Sequence, residues 1–217
     1  MHAQRRRRML IATVMAGASI LALLITIGVY GLILGPASVQ PQAAPAAASS
    51  VASGAPPIAQ PRPVSAGTDS ETFARAAAMT VFRWDTRSPA GPSEWAQILM
   101  DVADPEEAAG LASDIRGYVP SIEQWEQLKV YGTRQRLAID SAYVPDAWTT
   151  ALAQAAPGQL PPGAVAYTIS GQRHRDGMWD DEPIATSSAV TFTVFIACPR
   201  SQDCRLLRLS RLNEPLE

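Results

Sequence analysis

The residue types that carry enzyme chemistry are few in this sequence. His174 lies in the triplet His174-Arg175-Asp176, which matches a kinase catalytic loop, but no glycine loop, lysine-bearing strand or D-F-G motif accompanies it. His174 is also the only histidine after His2, so any Ser-His-Asp or Cys-His machinery would depend on it. The sequence also has no P-loop, nucleophile elbow, zincin motif or dinucleotide fingerprint. We therefore expect no catalytic residue, no cofactor and no metal ion, and so not an enzyme.

The two cysteines favour a structural disulfide. Cys198 closes one expected strand, Cys204 opens the next, and five residues lie between them. Two cysteines are too few for a four-cysteine zinc site, and redox-active pairs usually have the closer CxxC spacing. If the domain is exported, the oxidising compartment favours a bridge across this hairpin.

Trp179, with the nearby Arg173 and Arg175, is the candidate contact for a partner protein. Tryptophan and arginine are enriched among the residues that dominate binding energy. The alternative is that Trp179 only covers the edge of a sheet or hairpin. The neighbouring acidic run Asp180-Asp181-Glu182 lacks the glycine-spaced loop of a calcium site, so we interpret it as a solvated turn.

The N-terminal segment predicts a membrane anchor. Met9–Leu34 contains no charged residue and would span about 39 Å as a helix, against roughly 30 Å of hydrocarbon. Arginines before it should keep residues 1–8 in the cytoplasm and send the rest outward; they are Arg5, Arg6, Arg7 and Arg8. A cleavable signal peptide is the alternative, although its apolar region is usually about 7–15 residues. Both interpretations export the C-terminal part; the first makes the protein a single-pass cell-membrane protein.

Gly35–Gly67 is rich in alanine and proline. Seven prolines interrupt every candidate helix in it, and it has few large apolar side chains. We interpret residues 35–67 as a disordered linker that holds the domain away from the membrane.

Residues 68–217 have the pattern of one folded domain. Thr68-Asp69-Ser70-Glu71 resembles a capping box, and helical spacing of apolar residues predicts a helix to about Arg87. Shorter helices should follow, with starts near Ser93, Pro105 and Ser121 and a helical turn at 148–155. Four strands are then predicted: Thr133–Val144, Ala164–Arg175, Ile184–Cys198 and Cys204–Leu212, with a turn at Asp176-Gly177. Helices followed by antiparallel strands indicate an α+β fold, with helices packed on a curved four-stranded sheet.

Charge argues against direct nucleic-acid binding. The whole chain has a formal charge of −2, but all 20 acidic residues lie at or after Asp69. Residues 68–217 carry only 13 basic residues, Lys129 and 12 arginines, so their net charge is −7. Phosphate binding requires a basic surplus, which this part of the chain lacks.

Several short strings resemble exported proteins of actinobacterial conjugative elements, and they extend over most of residues 68–217. They are Phe82-Arg83-Trp84-Asp85-Thr86, Tyr131-Gly132-Thr133-Arg134-Gln135, Ala156-Pro157-Gly158-Gln159-Leu160-Pro161-Pro162-Gly163, Gly171-Gln172-Arg173-His174-Arg175, Phe192-Thr193-Val194-Phe195 and Leu206-Leu207-Arg208-Leu209-Ser210-Arg211-Leu212. The layout of stub, anchor, linker and domain is similar to the TcpC-like scaffold proteins of type IV secretion. That resemblance implies a nuclear-transport-factor-two-like (cystatin-like) cone. It also implies assembly work in DNA transfer beside other membrane proteins of the transfer channel, with a homo-oligomer as one arrangement.

Two other functions fit the same layout. A cone of this kind can hold a small apolar ligand or act as an isomerase with a carboxylate and a tyrosine in its cavity. Asp140, Tyr143 and Tyr167 are the candidates for that chemistry. The third hypothesis is an accessory protein of another envelope system.

Overall fold

The computed structural model of the chain describes residues 57–217. In chain order these residues form α1 (Ser70–Phe82), β1 (Trp84–Asp85), α2 (Pro92–Met100), α3 (Ala108–Ile115), α4 (Ile122–Val130), β2 (Arg134–Tyr143), α5 (Asp146–Gln154), β3 (Ala164–Trp179), β4 (Glu182–Ala197) and β5 (Arg205–Leu209). The expected cytoplasmic stub, the expected anchor and linker residues 35–56 lie outside the described residues. In the part that is described, no helix combines the length and the apolar character needed to cross a bilayer.

The described residues form an α+β fold with one antiparallel sheet of five strands in the order β1-β2-β3-β4-β5. Four strands were expected, and the additional one is β1, where Trp84 pairs with Gln135. The prediction of a helix to about Arg87 is therefore wrong, since α1 ends at Phe82. Pairing with β2 buries both residues of β1, and their spacing from α1 had looked helical.

β3 and β4 form a long hairpin of 16 residues in each strand. Their pairing is continuous from Ala164 with Ala197 to Trp179 with Glu182. The turn is Asp180-Asp181, whose φ angles of 46° and 66° are those of a type I′ turn. The turn predicted at Asp176-Gly177 is wrong, because both residues lie inside β3.

Glycine is required at position 177 because another part of the backbone approaches closely there, and not because the position is in a turn. A Cβ atom at this position would lie 2.7 Å from the carbonyl oxygen of Tyr131. The amide of Met178 donates a 2.8 Å hydrogen bond to that same oxygen. The Asp-Gly pair therefore marks the contact of β3 with the end of α4.

The main core lies between helices α1–α4 and one face of the sheet, called here the inner face. Ile169 of β3 and Phe192 of β4 are fully buried on this face, and Phe82 of α1 lies 5.3 Å from Phe192 between ring centroids. The opposite, outer face is covered in part by α5, because Trp148 packs edge-on against Phe195 at 6.0 Å. Alternation along the strands separates these two sets of side chains.

Two helix starts show how local sequence sets the element boundaries. Ser121, near which the sequence predicts a helix start, caps α4 with a capping box to Gln124. At α1 the cap is Asp69 rather than Thr68, since Asp69 Oδ1 accepts a 2.8 Å hydrogen bond from the Thr72 amide.

Residues 57–67, which the sequence interpretation placed in the linker, pack against the domain. Val64 is buried, and the Ala59 amide donates to Asp85 Oδ2 at 3.1 Å. The Gly67 carbonyl accepts a 2.9 Å hydrogen bond from the amide of Cys204.

The disulfide between Cys198 and Cys204 is confirmed. It joins the residue after β4 to the residue before β5, with Cα atoms 4.1 Å apart. Gly163, which has a positive φ of 77°, lies against this loop and accepts a hydrogen bond from the Cys198 amide. The bridge therefore closes the end of the sheet at which β4 and β5 are paired.

Candidate protein-docking site

The inner face of the β3–β4 hairpin changes from apolar to cationic along its length. Alternation places Ile169, Gly171, Arg173, Arg175 and Trp179 of β3 on the inner face. The first of these is in the core, whereas the two arginines lie beyond the part that α1 covers. The hairpin therefore extends a charged surface out of the core.

Arg173 and Arg175 line a cavity of about 510 Å³ together with Arg116, Gln135 and Tyr118. We call this cavity the Arg pocket. Arg175 Nε donates a 2.6 Å hydrogen bond to Gln135 Oε1. Its guanidinium carbon also lies 5.6 Å from the centre of the Trp84 ring, within the range of a cation–π interaction.

The three arginines of the Arg pocket, Arg116, Arg173 and Arg175, lack acidic partners among residues 57–217. None of them has a carboxylate within 4.0 Å there. Burial and the neighbouring charge of Arg173 lower the pKa of Arg175. Because desolvation and like charge disfavour the cation, the opposite charge of a bound anion would offset both effects.

An apolar recess of about 260 Å³ adjoins the Arg pocket nearer the turn. It is lined by Leu128, Tyr131, Trp179, Ile184 and neighbouring residues, and we call it the Trp recess. Trp179 stacks on Tyr131 with ring centroids 5.1 Å apart, yet 53% of Trp179 is exposed. Tyr131 lines both cavities, so the apolar and the cationic surfaces are continuous.

The edge of β4 next to these cavities is unpaired in the described part of the chain. β5 pairs only with Val194–Ala197, and the backbone of Thr191 exchanges hydrogen bonds with Asn213. Because backbone orientation alternates along a strand, Ala185, Ser187 and Ala189 also direct their N–H and C=O groups away from β3. All three are exposed.

Beyond Glu182, its first residue, β4 carries no charge. No charged side chain occurs between Pro183 and Cys198. Natural edge strands are usually protected by charged residues, proline or a bulge, because unpaired backbone groups recruit another strand. Pro183 provides such protection only at the start of β4.

The other residues considered from the sequence do not converge on one site. His174 lies on the outer face opposite Ser187. Asp140 is exposed at an irregularity between β2 and β3, and Tyr143 is 52% exposed. Tyr167 instead shares a 2.8 Å hydrogen bond with Ser70. These positions do not form the carboxylate–tyrosine cavity of the isomerase hypothesis.

Comparison of the chain with protein-family models, curated proteins and solved structures finds no significant match. The site is therefore interpreted from its own geometry. Two of its residues, Arg116 and Gln135, were not singled out from the sequence. Gln135 had a usable signal, because it alternates with Leu137 and Ile139 on the inner face and is a polar residue in an apolar series. Arg116 follows α3, and no pattern in the sequence indicates that it belongs to this site.

Proposed function

We propose that this protein is a single-pass, membrane-anchored structural component of a conjugative, type IV secretion-like DNA-transfer apparatus. It works through protein–protein contacts outside the membrane. In this proposal residues 9–34 are the anchor, residues 1–8 are cytoplasmic and the domain is extracytoplasmic. The resemblance to TcpC-like scaffold proteins supports the assignment to conjugation, and the cone family implied by that resemblance is part of the proposal.

The observation that carries a docking role is the open edge of β4. Among residues 57–217, Ala185, Ser187 and Ala189 present a row of unpaired backbone donors and acceptors on an exposed part of β4 that has no charged side chain after Glu182. An extended segment of a partner can add to such an edge as a further strand, with affinity from main-chain hydrogen bonds and specificity from flanking pockets. The Arg pocket and the Trp recess supply such pockets.

The test is deletion of the gene followed by measurement of mating frequency. Complementation by the full chain should restore transfer, whereas Ser187→Pro should restore little of it. Proline removes the outward N–H of Ser187, and proline is tolerated where that N–H faces away from the sheet. Ser187→Ala keeps the N–H and is the matched control, so it should restore transfer fully.

Two outcomes would overturn the proposal. Unchanged transfer after deletion would exclude a role in conjugation. Full rescue by a chain that lacks residues 9–34 would show that the anchor is dispensable, and the membrane-anchored part of the proposal would then fail.

A further inference from the structure

We propose that the segment which docks on β4 is an extended acidic segment of another protein. One of its carboxylates occupies the Arg pocket, and an aliphatic side chain four residues away occupies the Trp recess. This inference rests on the proposed docking function and specifies the chemistry of the partner.

The place of the acidic residue in the partner segment follows from the position of Arg173. Arg173 pairs with Ser188 across the hairpin, and its Nε donates to Ser188 Oγ at 3.2 Å. The guanidinium of Arg173 therefore already leans over β4, toward the open edge. A strand added at the usual spacing of about 4.8 Å would bring an inner-face Asp or Glu beside Ser188 and within reach of that guanidinium.

The place of the aliphatic residue in the partner segment follows from the position of Ile184. Ile184 lies on the same face as Ser188, four residues earlier, and 46% of it is exposed beside Trp179. The added strand places every second side chain on this face, so a residue beside Ile184 enters the Trp recess. The partner pattern is therefore an acidic and an aliphatic residue separated by three others.

The chain itself cannot supply this occupant from its N-terminal part. Residues 1–56 contain no aspartate or glutamate. A second copy paired antiparallel through the same edge can bring one carboxylate beside Ser188, that of Glu182 at the start of β4, but it then places Thr186 rather than an aliphatic residue beside Ile184. The uncompensated charge of the Arg pocket thus favours a different, acidic protein.

A nucleic acid would satisfy only part of the site. Phosphates can accept hydrogen bonds from arginine and from backbone N–H groups, but they give no donor to the edge carbonyls of Ala185, Ser187 and Ala189. The net charge of −7 on residues 68–217 also opposes association with a polyanion. A polypeptide strand offers both donors and acceptors.

The experiment uses the full chain in detergent micelles and fluorescence anisotropy of a labelled probe peptide. The probe is a nine-residue peptide of alternating threonine and serine that carries one glutamate and, four positions away, one valine. We expect Arg173→Gln and Arg175→Gln each to weaken binding at least tenfold. Arg136→Gln, on the exposed outer face of β2, is the matched control and should leave binding unchanged. A probe with glutamine in place of glutamate should also bind at least tenfold more weakly.

Three results would overturn this inference. They are equal binding of the glutamate and glutamine probes, tighter binding of a single-stranded oligonucleotide, and a homodimer that Ser187→Pro dissociates in sedimentation. Arg173→Lys keeps the charge and should retain part of the affinity, which separates a lost charge from a misfolded domain. If the glutamate and glutamine probes bind equally but Ser187→Pro still abolishes mating, the proposed acidic residue of the partner is wrong and the docking function of the β4 edge stands.

Discussion

Arg175 Nε donates a 2.6 Å hydrogen bond to Oε1 of Gln135 on the adjacent strand. The Nε2 of the same Gln135 side chain donates to the Phe82 carbonyl at 3.3 Å, so both ends of this buried amide have partners. Arg175 is thereby held in place by a neutral acceptor. Its position is fixed while its charge stays available to a ligand.

Replacing this neutral acceptor by a charged one should weaken the binding of an acidic ligand. Gln135→Glu would give Arg175 an internal carboxylate partner, so the affinity for the glutamate probe should fall about tenfold, or about 1.4 kcal/mol. Anisotropy titration measures the effect. Gln135→Leu removes the acceptor without adding charge and should have a smaller effect. Unchanged affinity of the Gln135→Glu variant would mean that the charge of the Arg pocket does not control binding.

Asp85 should make stability depend on pH at the acidic end. Burial opposes its ionisation, but hydrogen bonds from Arg87 and from the Ala59 amide outweigh burial and hold its pKa below the usual 3.8. Because the pKa is lowered in the folded state, ionised Asp85 stabilises the fold fully above about pH 4. This contribution is lost as the pH falls through the folded pKa. Urea unfolding between pH 7 and pH 2.5 measures it.

Asp85→Asn should remove this pH dependence and lower the unfolding free energy by about 2 kcal/mol. The side chain of Asp85 is fully buried and accepts two hydrogen bonds from the Arg87 guanidinium, which would lose their charged acceptor. Asp140→Asn, at an exposed position, is the control and should change stability little. Equal effects of the two substitutions would contradict the role of Asp85.

The order of the elements could be predicted because helical and alternating periodicities differ clearly along this chain. β1 could not, since Trp84 continues the helical spacing of α1 and only its pairing with Gln135 shows that it is a strand. The hairpin turn was misplaced because an Asp-Gly pair is a turn signal. Here Gly177 instead accommodates the Tyr131 carbonyl, a contact between distant parts of the chain.

The observed turn gives a prediction of its own. Asp181 has a φ of 66°, a conformation that glycine adopts without steric cost. Asp181→Gly should therefore raise the unfolding free energy by about 0.5–1 kcal/mol. Arg136→Gly, at an exposed and regularly paired position of β2, should lower it by a similar amount. Chemical denaturation compares the two, and Asp181→Asn separates the charge from the backbone effect.

The disulfide should contribute about 2 kcal/mol, because it closes a short loop in the unfolded chain. Cys198→Ser with Cys204→Ser should lower the midpoint of denaturation by the corresponding amount. A reducing agent should shift the wild-type midpoint in the same direction and leave that of the double variant unchanged. A shift of the double variant on reduction would contradict this assignment.

Residue type alone indicated part of the candidate site. Arg173, Arg175 and Trp179 stood out because arginine and tryptophan are enriched in binding sites. Arg116 could not be assigned from the sequence, because only the packing of the α3–α4 connection over the sheet places it in the same cavity. The open edge of β4 was equally hidden, since it depends on where β5 ends.

The hydrogen bond from the Cys204 amide to the Gly67 carbonyl has a mechanical consequence. Tension applied to the chain ahead of residue 57 would first load the hydrogen bond of Ala59 to Asp85 and the contacts of Val64, and would then reach the sheet at Cys204, which is covalently joined to Cys198. The pull is therefore shared between the ends of two strands, and β5 cannot be peeled away from β4 at that point. A domain pulled through its N-terminal side would keep this end of its sheet closed while the opposite end of the hairpin remained free to engage a partner.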